Sequence, residues 1–157
     1  MADSNYVSEP ILTPEPQQAT IFARADLVFY GVDHSGASFR ARVFVDNPEA
    51  TAETPEDDPT SIGAFHIFGH GGCFGDEGHC DVPSGPQDSF DLRPPHRLLP
   101  HTKTVEVTDF LRERLQRGDS GPLTVTVIAV ARGWSSDQEG AAEGLLEFER
   151  LALVTYD

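Results

Sequence analysis

Apolar and polar positions alternate most regularly over residues 37–45 (ASFRARVFV). There Phe39, Ala41, Val43 and Val45 face one way, and Arg40 and Arg42 the other. A period of two predicts a strand with one face on a core. The β-rich run 20–30 (TIFARADLVFY) ends at Gly31, and residues 32–36 (VDHSG) have the composition of a turn, so the two runs together predict a long hairpin. Residues 62–68 (IGAFHIF) predict a third strand, 101–107 (HTKTVEV) a fourth and 123–131 (LTVTVIAVA) a core strand. Residues 145–156 predict the last strand. Its apolar phase shifts between Leu146/Phe148 and Leu151/Leu153, which suggests a β-bulge near Arg150. Between the fourth and fifth strands, Thr108 or Asp109 is placed to cap a short helix over 110–116, which Gly118 stops. The sum is an all-β chain: an antiparallel β-sandwich, jelly-roll-like, with one short helix.

The intervening segments complete the plan. Residues 1–19, with Pro10, Pro14 and Pro16, read as a flexible lead-in to a single domain over 20–157. Residues 46–59 hold six acids, three prolines and no base, the composition of a solvated loop. A calcium site is the functional reading of that loop, but the glycine-centred spacing of an EF-hand is absent. Residues 69–100 form a long excursion rich in Gly, Pro and His, and a connection of that length in a compact domain is usually functional.

Charge narrows the partners. Twenty-six acidic against eleven basic side chains give a formal charge of −15. Such a surface repels nucleic acid and anionic lipid, because both need clustered Lys and Arg. The first ten residues have neither the basic nor the apolar region of a signal peptide, so the expected location is cytoplasmic. The longest apolar run, 125–131, is too short to span a bilayer.

Candidate chemistry concentrates in residues 66–80 (HIFGHGGCFGDEGHC), which carry three of the six histidines and both cysteines. Imidazole and thiolate suit Cu(I), and next Zn(II). His70, Cys73, His79 and Cys80 could together supply four ligands, with glycines letting the loop fold around one ion. Two other readings stand beside it: a Cys73–Cys80 disulfide closing a small hairpin, or two free thiols. His66, on a strand, reads as a packed or hydrogen-bonded histidine. The chain lacks the His-x-His pair of a cupin, a Gly-x-Ser-x-Gly elbow and a phosphate-binding P-loop. A catalytic cysteine is disfavoured by the acids Asp76, Glu77 and Asp81 around the thiols. No catalytic residue is therefore assigned.

Several strings then fall into a familiar order: FRARVFVDNPEAT with its ETPEDDP tail, GAFHIFGHGG, FDLRPPH, TKTVEVTDFLRERL and PLTVTVIAV. Over residues 22–156 this order resembles the β-rich C-terminal domain of tyrosinase-family copper proteins, which include plant polyphenol oxidases and molluscan haemocyanin units. In that family the β-domain packs over the mouth of a copper site and screens it, often by inserting one side chain. Some relatives carry a Cys-containing motif implicated in copper loading. The resemblance implies a non-catalytic accessory or regulatory domain whose partner is a tyrosinase-like copper domain. His70, Cys73, His79 and Cys80 would be its copper ligands and Phe74 its candidate plug. The family's copper pair rests on histidines of a helical bundle, and no helical His-x3-His pair is expected in this chain. The alternative reading is a stand-alone sandwich that binds protein or carbohydrate, with a disulfide-closed loop and no metal.

Overall fold

The computed structural model describes residues 3–16, 21–70, 89–90, 99–131 and 144–157. The elements run β1 (Asp3–Val7), β2 (Arg24–Val32), β3 (Phe39–Val45), β4 (Ser61–Ile67), β5 (His101–Glu106), α1 (Thr108–Gln116), β6 (Val125–Ala131) and β7 (Arg150–Tyr156). They build two antiparallel sheets, a four-stranded one ordered β1-β6-β3-β4 and a three-stranded one ordered β5-β2-β7. The fold is an all-β sandwich with one short helix.

The inward faces follow the alternation in the sequence. Leu27 and Phe29 of β2 meet Phe39, Ala41, Val43 and Val45 of β3 and Val125, Val127 and Ala129 of β6 in one core. Phe29 lies 5.0 Å from Phe65 and 5.4 Å from Phe148, ring to ring, and burying a side chain of this size stabilises a fold by about 1.5–3 kcal/mol. Helix α1 closes one end of this core with Leu111 and Leu115, both fully buried. No side chain caps its N-terminus, contrary to the expectation for Thr108 or Asp109. Instead the Thr108 hydroxyl accepts the Ala25 N–H at 3.0 Å and donates to Glu106 at 3.0 Å, tying the helix to β2.

Three further expectations are corrected. Residues 1–19 are not simply a flexible lead-in, because Asp3–Val7 pairs with β6 from Asp3↔Val130 to Val7↔Thr126, and Tyr6 packs on Phe148 at 4.7 Å. A polar edge strand with one inward aromatic gives little periodic signal, and the prolines that follow it dominate the composition. Strands β2 and β3 do not form a hairpin: β2 is central in its sheet, flanked by β5 and β7, and β3 lies in the other. Residues 33–38 therefore form a corner between sheets. Finally, β7 pairs with β2 without interruption from Tyr156 to Arg150, so the phase shift near Arg150 marks the start of the strand. The irregularity falls on β2 against β5, between Phe29 and Val32. Gly31 sits there at φ 67°, and a Cβ on it would come within 2.5 Å of the Glu149 side chain.

The outer face of β3 is covered as well. Phe44, Ile128 and Ala50 form a second small cluster under the acidic loop, with Ala52 and Val130 packed against it.

A histidine cluster at one end of the sandwich

Three histidines from separate parts of the chain meet where β2 and β4 end and β5 begins. His34 follows β2 in the corner, His70 follows β4, and His101 opens β5 opposite Val32. The local backbone fixes each. Asp33 accepts the Ser35 N–H at 2.9 Å and the Ser35 hydroxyl at 2.8 Å, which shapes the corner and holds the Asp33 carboxyl below its ordinary pKa. Gly69 passes so close to this corner that a Cβ on it would lie 2.1 Å from the Gly36 carbonyl oxygen. Its N–H reaches the Ser38 hydroxyl at 3.0 Å, and the next N–H, of His70, reaches the His34 carbonyl at 2.8 Å.

The side chains then converge. His34 is buried, at 6% exposure, while His70 and His101 are exposed. The His34 and His70 Nδ1 atoms are 3.1 Å apart, and His34 Nε2 is 2.8 Å from the Leu99 carbonyl oxygen. His101 stacks on His34 with ring centres 4.0 Å apart and planes 20° from parallel. Lost hydration, and then the nearby His34, Lys103 and His70, hold the His101 imidazole below its ordinary pKa. Phe68, two residues before His70, and Leu99, two before His101, are exposed by 83% and 62%.

Of the residues read from the sequence as metal ligands, His70 is placed in this cluster. Cys73, His79, Cys80 and the plug candidate Phe74 lie outside the described residues. His66 is exposed on β4, opposite Arg40 in the register, rather than packed. From the sequence alone no role falls to His34 or His101, since each looks isolated on the chain. The one available signal was the glycines nearby, Gly69 just before His70 and Gly36 two residues after His34, which allow close backbone approach.

Helix α1, the sole helix among the described residues, carries no histidine. The acidic loop, for its part, is organised around arginines. Arg42 donates to the carbonyls of Thr54 at 2.6 Å, Pro55 at 2.9 Å and Ala52 at 3.3 Å, and its guanidinium lies 4.8 Å from the Phe44 ring centre. Glu56 accepts two hydrogen bonds from Arg40, at 2.6 and 2.9 Å. Among the described residues no group of three or more His, Cys, Asp and Glu side chains is arranged to hold a metal ion. No described helix is long and apolar enough to cross a membrane.

The architecture is that of an antiparallel β-sandwich, and solved structures of similar arrangement include latent aurone synthase, a polyphenol oxidase. The recombinantly expressed form aligns at 16% identity with a TM-score of 0.48, covering 98% of this chain and 24% of that one. The form from the natural source aligns at 15% identity and 0.49, covering 99% and 24%. The chain thus spans about a quarter of the length of these proteins. No family model and no curated protein matches it.

Proposed function

We propose that this chain is a non-catalytic accessory domain that docks on a tyrosinase-like copper domain and covers its active-site mouth. The observation that carries the reading is the histidine end of the sandwich. There, the imidazoles lie close along the chain to exposed Phe68 and Leu99, a mixed polar and apolar surface suited to contact another protein. The ordered strings GAFHIFGHGG and TKTVEVTDFLRERL, which resemble the β-domains of that family, support a partner of this kind. In this reading the sandwich presents residues 68–70, and Phe74 is the side chain offered to the partner's mouth. Copper held by His70, Cys73, His79 and Cys80 is a second part of the same proposal. A carboxylate-rich chain, at net charge −15, favours a partner face that is neutral or basic.

The test uses a tyrosinase-family copper domain freed of its own β-domain. Added to it, the full chain should co-elute with the enzyme and inhibit catechol oxidation, and Phe68→Ser and Phe74→Ala should each weaken both effects. Neither co-elution nor inhibition with the partner in excess would overturn the docking role.

A further inference from the structure

The hydrogen atoms of the histidine cluster can be assigned from its geometry. A carbonyl oxygen only accepts, so the 2.8 Å contact of His34 Nε2 with the Leu99 carbonyl places a proton on Nε2. Neutral His34 then carries its lone pair on Nδ1, aimed at His70 Nδ1 at 3.1 Å. Two arrangements satisfy that contact: His70 donates its own Nδ1–H to His34, or a cation takes the place of that proton and both lone pairs face it.

We infer that His34 and His70 form an open two-imidazole site for one late first-row ion of the Zn(II) or Cu(I) kind, bound through the two Nδ1 atoms. Three features support this. An imidazole whose far N–H is held by a backbone carbonyl has the tautomer and orientation that metal-ligating histidines characteristically show. Two donors at about 2.0–2.1 Å from a tetrahedral ion sit roughly 3.3 Å apart, within a few tenths of an ångström of the spacing present here. And both residues are pre-positioned by backbone: the His70 N–H to His34 carbonyl bond and the Gly69–Gly36 approach fix one against the other. The His101 ring, stacked on His34, walls one side of that imidazole. Exposed His70 leaves the outer side open to water or to a ligand from elsewhere. On binding, His70 changes tautomer: its Nδ1 proton leaves to solvent and Nε2 takes one up from water, so no net proton is released and two N–metal bonds replace one N–H···N hydrogen bond.

The site differs from the His70–Cys80 set in using His34 and no thiol, and it requires no partner, so it stands or falls separately from the docking reading. The experiment uses the full chain without an affinity tag, carrying Cys73→Ser and Cys80→Ser. Zn(II) is titrated by calorimetry, and Cu(I) against a chromophoric chelator. One equivalent of at least one of these ions should bind and raise the melting temperature. Adding His70→Ala should weaken binding by at least about tenfold, as loss of a ligand-shell group does. His34→Gln should do the same, with circular dichroism confirming that both variants are folded. Absence of binding by the double-serine protein, or binding that His70→Ala leaves unchanged, overturns the inference.

Discussion

The two ends of β3 handle polar groups in opposite ways. Beyond Val45, the arginines meet complementary carboxylates and carbonyls. Asp46, at φ 52°, accepts the Thr124 N–H at 2.9 Å and pairs with Arg114, which also reaches Asp119 at 3.1 Å, while Arg42 fills the acidic loop. Before Phe39, imidazoles face imidazoles, and His34 directs a lone pair at a neighbour that must donate a proton or share an ion. A cluster closed by its own ion pairs serves the fold. One that needs a specific protonation or a ligand to close has its chemistry still available. The difference teaches that the loop richest in charge is structural, and the end with little charge is the place to look for function.

That contrast breaks first at Arg42. Its replacement by Met keeps much of the packing on Phe44 and removes the donors to three loop carbonyls. The expected loss is about 2–4 kcal/mol, since each hydrogen bond from a charged donor contributes about 1.5–3 kcal/mol and the freed carbonyls partly recover water. Urea denaturation reads this directly, and a change below about 0.5 kcal/mol would mean the loop is not held by its arginine.

Gly69→Ala should have the next largest effect. The added methyl meets the Gly36 carbonyl and must push the two segments apart, which costs about 1–3 kcal/mol as overpacking does. It should also separate His70 from His34, so imidazole resonances in NMR should shift for both. A melting temperature equal to that of the parent would show that the corner yields without strain. By contrast, His70→Ala in metal-free protein should change stability by no more than about 0.5–1 kcal/mol, because it removes one exposed ring and one hydrogen bond. A larger loss would make the histidine end as structural as the arginine end.

How much of this was legible beforehand varied with the kind of signal. The alternation of Phe39, Ala41, Val43 and Val45, and the apolar run of β6, gave the sandwich because one-sided burial imposes its period on the chain. Edge strand β1 left no such period, and the hairpin expected for β2 and β3 failed because neighbours in sequence need not share a sheet. The site was legible by half. His70 announced itself among glycines, but His34 lies 36 residues earlier and His101 31 later, and topology alone brings them together. The acidic loop read from its composition as solvated, and pair interactions that composition cannot show tie it to Arg42 and Arg40.

Acid sharpens the comparison with the smallest effect. Hydrogen bonds from Arg40 hold the Glu56 carboxyl below its ordinary pKa, and those from Thr60 do the same for Asp58. Depressed folded-state values mean that the unfolded chain takes up protons first as the pH falls. The stabilisation is therefore fully present above the ordinary carboxylate range, about 4, and fades as the pH drops through the lower folded values. Glu56 is exposed and Asp58 half-buried, both in the surface loop, so the loss is local: loop amides at 51–58 should lose exchange protection before those of β2 and β6. Glu56→Gln removes the Arg40 ion pair at every pH, and should leave only the Asp58 portion of the acid response. If loop and core strands instead lose protection together in both proteins, the arginine-centred loop is not a separable unit, and the two ends of β3 differ less than their hydrogen bonds imply.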